Sequence, residues 1–330
     1  MGAQQVAAIA FGLVVLAGCS ADSTPEGEAT PTSPTLTPTS SAPSPAPPAT
    51  ASTTSPSTSA PATFDAVAAM HHIQVLAGRI GPRLTTGPAF REAARYVAQR
   101  FRAQGYDVRR QDFPVPAGNS WGVPVDAGTS FNVIATPPGF DAGSPYRLVG
   151  AHLDTVAVAP GAEDNASGIS VLLELARLGA AGGTKLPTVL VAFGGEEPRG
   201  SGDGMHHFGS MHYVGEMSGP ERTNLRGMVS MDRVGVGAVV PVCLGRAGDP
   251  RVGDDLLAVA QRESVEAAVC PEGFDEASDH WSFEKAGFDV ARLGSTPYAG
   301  YHSATDLPSV VSRAQLDRTG RLIWAWLRSG

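Results

Sequence analysis

The 330 residues have no excess of positive charge. The formal net charge is −8, which argues against a nucleic-acid surface and otherwise bears only on solubility. Cysteine is scarce, at three residues. The apolar segment near the front, Val6 to Gly18, is too short to cross a bilayer as a mature helix. No segment repeats, so a solenoid or propeller is excluded. No G-x-S-x-G follows a strand-like run, so a serine-hydrolase elbow is missing too. A hydrophobic content of 42% is nevertheless enough for a sizeable core.

The front of the chain divides by composition. Residues 20–63 are almost entirely Ser, Thr, Pro and Ala with a few acids, which offers too little apolar surface to offset chain entropy. A disordered linker with polyproline character is expected. Ahead of it, Leu16-Ala17-Gly18-Cys19 resembles the lipobox of bacterial lipoproteins. That resemblance implies a signal peptide over residues 1–19 and a lipid on Cys19. The protein would then be exported and held at the outer side of the cell membrane by its acyl chains. Met1 to Gln5 carries no Lys or Arg, whereas export signals normally begin basic. Setting Cys19 aside leaves Cys243 and Cys270, each in a short apolar segment with one helix between them. A disulfide and two buried thiols both fit.

Residues 64–330 have the size of one α/β domain. Helices are expected over Phe64 to Ala77, Pro88 to Gln104, the stretch after Gly168, Ser210 to Glu216, Asp249 to Glu263, Asp279 to Ala286 and Arg313 to Leu327. Strands are expected over Tyr106 to Phe113, Phe131 to Ala135, Leu148 to Ala151, Thr188 to Phe193, Gly227 to Met231, Val239 to Leu244, Ala267 to Cys270 and Val290 to Leu293. Alternating strands and helices indicate a three-layer α/β/α domain with a mostly parallel sheet. The first two strands have no helix between them, so that edge should be antiparallel and the sheet mixed.

Three buried strands end in metal-binding side chains: His152 and Asp154, then Glu196 and Glu197, then Asp232. His152 and Asp154 leave their strand on the same face, and ligands in such sheets bind at the carboxyl ends of strands. Adjacent acids repel, and a cation removes the conflict. Asp164 at a helix start can offer both oxygens, while His152 and His302 supply nitrogen. Nitrogen with carboxylate suits zinc better than calcium or magnesium. Five donors exceed the needs of one tetrahedral ion with an open position; they suit two, about 3.5–4 Å apart with a carboxylate between them.

The blocks GAHLDTV, PGAEDNASG, GGEE, MDRVG, SDHWSF and YHSATD, in this order, resemble the co-catalytic di-zinc aminopeptidases, the family of secreted bacterial leucyl aminopeptidases and glutamate carboxypeptidase II. The likeness covers essentially all of Phe64 to Gly330. It implies that His152 and Asp232 bind one zinc, that Glu197 and His302 bind the other, and that Asp164 bridges them. It further implies Glu196 as general base for a two-zinc-activated water, Tyr301 as oxyanion donor, and Asp154 as the carboxylate that orients His152. A cis peptide between Asp164 and Asn165 belongs to the same pattern. The implied activity is hydrolysis of N-terminal residues from peptides outside the cell, by a monomer.

Blander readings apply to several neighbours. His206, His207 and His212 are expected at the surface or pocket rim, because the ligand set is already complete. Arg233 stands where the family usually has an apolar residue; substrate contact and an ion pair with an acid are both open. Asp306 is expected to orient His302, with capping of the last helix as the alternative. Ser278, Asp279 and His280 resemble a supporting motif of the family. A single-zinc glutaminyl-peptide cyclotransferase and a non-catalytic binding lipoprotein are the competing functions on the same scaffold. No gap between the motifs is long enough for the dimerisation domain of related deacylases.

Overall fold

In the computed structural model, the described residues are 62–246, 250–271 and 276–330. The expected signal, the lipidated Cys19, the linker to residue 61 and Asp249 lie outside them. Among the described residues ten strands are formed: β1 (Asp107–Val115), β2 (Gly118–Ser120), β3 (Val123–Val125), β4 (Gly128–Thr136), β5 (Tyr146–His152), β6 (Thr188–Phe193), β7 (Leu225–Asp232), β8 (Val240–Leu244), β9 (Ala267–Val269) and β10 (Val290–Gly294). Eight of them make one sheet in the order β1-β4-β6-β5-β7-β10-β8-β9. The pairs β5–β6, β5–β7, β7–β10 and β8–β9 are parallel, whereas β1–β4, β4–β6 and β8–β10 are antiparallel. The sheet is therefore mixed, as expected from the helix-free connection between the first strands.

Every residue of β5 and β6 is buried, as strands covered on both faces must be. Along β6, Leu190 and Ala192 join one apolar cluster, while Val189, Val191 and Phe193 join another. The first cluster holds α1 (Ala66–Ile73), α2 (Pro88–Ala103), α3 (Gly168–Ala180), α6 (Arg251–Arg262) and α8 (Arg313–Arg328) against the sheet. The second holds α4 (Phe208–Glu216) and α7 (His280–Lys285). Two faces, each with its own helices, make the three-layer α/β/α architecture. Because β5, β6, β7 and β10 run parallel, their carboxyl ends and the loops that follow meet at one edge.

Local details differ from the sequence reading for identifiable reasons. The first helix continues past Ala77 as a wider turn over Gln74–Ile80, and it ends at Gly81, whose φ is 80° and whose N–H bonds the Leu76 carbonyl. Gly78 remains helical. The β2–β3 hairpin escaped notice because three-residue strands are too short to show a period of two. A short helix, α5 (Gly219–Asn224), was also missed, although Ser218 and Glu221 form a capping box that spells it out.

Cys243 and Cys270 are joined as a disulfide across the β8–β9 pair, with Cα atoms 4.9 Å apart. The pair closes a loop with a sequence separation of 27. Replacing both cysteines by serine is expected to lower the unfolding free energy by about 3 kcal/mol on loop-closure grounds. Urea unfolding checks this; an unchanged midpoint would show that the cross-link contributes nothing.

Candidate metal centre

The edge where the parallel strands end collects the side chains singled out from the sequence. His152 closes β5, Glu196 and Glu197 follow β6 after Gly194 and Gly195, and Asp232 closes β7. Asp164 lies in a single turn, Ala162–Ser167, just ahead of α3, and its own φ and ψ (−110°, 87°) are not helical. The Asp164–Asn165 peptide is cis. Gly161 before it has a φ of 65°, and a β-carbon there would sit 2.4 Å from the Asp164 carbonyl oxygen, so only glycine lets the turn close. His302 reaches in from the loop after β10. All five proposed ligands are at least nine-tenths buried.

Asp164 is central. Its Oδ1 is 3.1 Å from Nε2 of His152, and its Oδ2 is 3.2 Å from Nε2 of His302. On the first side, His152 Nε2 is 3.4 Å from Asp232 Oδ1; on the second, His302 Nε2 is 3.1 Å from Glu197 Oε2. Two ligands of a tetrahedral ion with bonds of about 2.0–2.2 Å stand roughly 3.3–3.6 Å apart, so both groups have the spacing of a coordination shell. Asp232 Oδ1 and Glu197 Oε2 are buried and receive no hydrogen bond, which is costly unless a cation serves them. The donor set at this edge therefore fits a divalent transition ion.

The backbone around the donors is held by two further aspartates. Asp154 accepts hydrogen bonds from the N–H groups of Glu196 (3.1 Å) and Glu197 (3.2 Å). Its carboxylate is thus occupied and does not orient His152, contrary to expectation; the ring Nδ1 of His152 instead meets the main-chain carbonyl of Asp154 at 3.2 Å. That contact places the ring proton on Nδ1 and leaves Nε2 free to ligate. Asp306 does the same for the other loop. It accepts from the N–H groups of Glu163 and Asp164 and from the Tyr298 hydroxyl, so it neither orients His302 nor caps α8, whose N-cap is Ser312. Each correction has one cause: a buried carboxylate takes the two peptide N–H groups that a tight turn exposes.

The buried Arg83 adds a third brace. Its guanidinium donates to the carbonyls of Leu76, Gly81, Leu153, Pro160 and Gly161. Burial lowers its pKa to about 10, which still leaves it cationic at neutral pH.

His207 and Trp121 take places near the site that the sequence reading did not assign to them. His207 is buried, not at a rim, with Nε2 3.2 Å from Glu196 Oε1 and Nδ1 2.8 Å from Nδ1 of His206. Burial, with the charge of His152, lowers its pKa to about 3, so it is a neutral imidazole beside Glu196. His212 instead packs its ring against Phe113, away from the metal ligands. Trp121, at the tip of the β2–β3 hairpin, sets its ring edge-on to His302 with centroids 4.3 Å apart. No sequence signal marked His207; an exposed tryptophan beside Gly122 in a turn was the available clue for the other. Trp121, His206, His207, Arg233 and Tyr301 join the ligands in lining a cleft of about 170 Å³. Larger hollows near Phe64 and near Arg147 contain no comparable donors.

Residues 132–327 match the model of peptidase family M28. Aminopeptidase YwaD of Bacillus subtilis is 31% identical over 191 residues, 54% of this chain and 39% of that protein. The chain spans between 32% and 51% of the length of the curated relatives it matches. Among solved structures, a zinc aminopeptidase from Bacillus subtilis superposes with a TM-score of 0.70 at 20% identity, covering 80% of this chain and 94% of the other. A glutaminyl cyclase from Fimbriiglobus ruber reaches 0.69 at 23% identity, covering 81% and 96%. Both share the fold.

The charge at this edge makes a prediction about stability. Burial, reinforced by neighbouring acids, raises Glu196 and Glu197 from 4.5 to about 8. Without a cation, these raised pKa values destabilise the folded chain relative to the unfolded one progressively as pH rises from 4.5 to about 8. Burial works against His302 as a cation, yet Asp164 and Glu197 raise it from 6.5 to about 10. The stability it contributes is complete below pH 6.5 and is lost as pH rises through about 10. Both effects have the same sign, so chelated protein should melt at a lower temperature near pH 9 than near pH 6. Saturating zinc should restore the loss at pH 9. Calorimetry that found chelated protein more stable at the higher pH would contradict this arrangement.

Proposed function

The chain belongs to peptidase family M28, and from that premise we propose that it is a zinc-dependent aminopeptidase. The observation that carries the reading is Asp164, which presents one oxygen to each of two donor groups. His152 and Asp232 would hold one ion, Glu197 and His302 the other, with Asp164 between them. When bound, such a pair supplies Lewis acidity that makes water a nucleophile at neutral pH and polarises the scissile carbonyl.

The remaining chemistry falls to the chain's own side chains. Glu196 lines the cleft beside the ligands without being needed as one, and it takes the proton from the attacking water. His207 lies against its Oε1 and limits the carboxylate's freedom to turn away. Tyr301 stacks on His302 with ring centroids 3.8 Å apart. Burial and the nearby Asp164 raise the Tyr301 pKa, so its hydroxyl keeps its proton and can donate to the developing oxyanion. Glu196 then returns the proton to the leaving amine. A small cleft suits the end of a peptide better than its middle.

A glutaminyl cyclase shares this fold but differs in the expected metal count, since donors stand on both sides of Asp164 here. Metal per chain separates the two. The proposal includes export, anchoring through Cys19 at the cell surface, peptides as substrates and a monomeric chain; the lipobox-like sequence and the Cys243–Cys270 disulfide support the oxidising compartment.

Substituting Glu196→Gln is expected to lower kcat by roughly 10²–10⁴-fold while both metal ions remain bound. Steady-state rates on aminoacyl-nitroanilides, with metal analysis of the same preparation, provide the check. Chelation should abolish turnover of the wild-type protein, and zinc should restore it. Full activity in metal-replete Glu196→Gln protein would remove the general-base role.

A further inference from the structure

Arg233 keeps only a loose ion pair with Asp232, one of the two readings left open from the sequence, and makes no hydrogen bond through its guanidinium among the described residues. Its side chain is 15% exposed. The nearest carboxylate oxygen, Asp232 Oδ1, is 3.8 Å from Nε, outside bonding distance. Its Cζ lies 4.5 Å from the centre of the Tyr301 ring, a stacking contact that orients the guanidinium without using its N–H groups. Five donors are thus left at the wall of the cleft.

The backbone puts it there at a cost. Arg233 has a φ of 56°, a left-handed conformation that costs a non-glycine residue about 1 kcal/mol or more. The conformation is pinned on both sides: Arg233 N–H donates to Asn165 Oδ1, and its carbonyl accepts from Ser295 N–H at 2.8 Å. Nothing in the packing of β7 requires a guanidinium at this position.

Charge gives the complement. Of the residues that line the cleft, Asp164, Glu196, Glu197 and Asp232 are the acids and Arg233 is the sole Arg or Lys. Two divalent ions would balance those four carboxylates, leaving Arg233 as the further positive side chain in the lining. A guanidinium with free N–H groups in a desolvated wall matches a carboxylate in shape and charge.

We propose that Arg233 binds a carboxylate of the substrate, so that the enzyme prefers peptides carrying a negative charge near the scissile bond. The inference rests on the aminopeptidase reading and names its substrate class. Two sources offer that chemistry: the terminal carboxylate of a very short peptide, or an acidic side chain at the N-terminal residue.

Paired peptides distinguish them. Leu-Leu is compared with Leu-Leu-amide, and Glu-Leu-amide with Gln-Leu-amide, on the zinc-replete full chain. The expected result is a kcat/KM higher by about tenfold or more for the charged member of one pair. A preference in the first pair identifies the terminal carboxylate, and in the second the acidic side chain. In Arg233→Met protein, checked by calorimetry to melt as the wild type does, the ratio should collapse to within about twofold; Arg233→Lys should keep part of it. No preference in either pair, or a preference that survives in Arg233→Met, overturns the proposal.

The same peptides titrated calorimetrically into Glu196→Gln protein, with and without Arg233→Met, give a readout independent of turnover. Should the wild-type chain hydrolyse none of the four, the aminopeptidase reading fails. Even so, a charge-dependent affinity that vanishes with Arg233 would uphold this inference, and equal affinities would reject it.

Discussion

Negative charge packed into a dry sheet edge is the constraint under which the rest of this domain is built. Asp154, Glu163, Asp164, Glu196, Glu197, Asp232 and Asp306 are all buried around the same set of turns. Such a cluster persists only if each carboxylate has donors or a cation. Those at the periphery have donors. Asp154 and Asp306 take pairs of peptide N–H groups, and Glu163 takes those of Gly235 and Val236. Those at the centre face one another and two imidazoles. The division separates acids that shape the backbone from acids that face the cleft.

Much of this division could be read in the sequence, but not all of it. The five proposed donors and Glu196 could be singled out, and the structure brings them to one edge, because each follows a buried apolar run or a glycine-rich turn, and side-chain type at a strand end is a local property. The roles of Asp154 and Asp306 were misassigned because spacing reports which residues are near, not which atom of each makes the bond. His152 is served by the carbonyl of Asp154 and not by its carboxylate; nothing in a string of residue types distinguishes the two. His207 was expected only at the surface or rim for a related reason. Its contact with Glu196 depends on the path of the Gly-rich loop from Pro198 to Gly209, which has no period to read.

The fold was legible at the level of layers and strand direction and less so at its edges. Long buried strands and amphipathic helices announced themselves through their periodicity, and the missing helix between β1 and β4 disclosed the antiparallel edge. The three-residue strands of the β2–β3 hairpin carry no such signal, yet they place Trp121 against His302. The part of the chain that is hardest to foresee from pattern thus supplies one wall of the cleft.

Arg83 has a consequence for how metal comes and goes. One guanidinium gathers carbonyls from the end of the first helix, from the segment after β5 and from the turn before Asp164. The end of β5 that carries His152 and the turn that carries Asp164 are therefore fastened to each other by a buried cation belonging to the chain itself. Their mutual position is set by covalent chain and hydrogen bonds, and any ion bound there would meet a part-built frame.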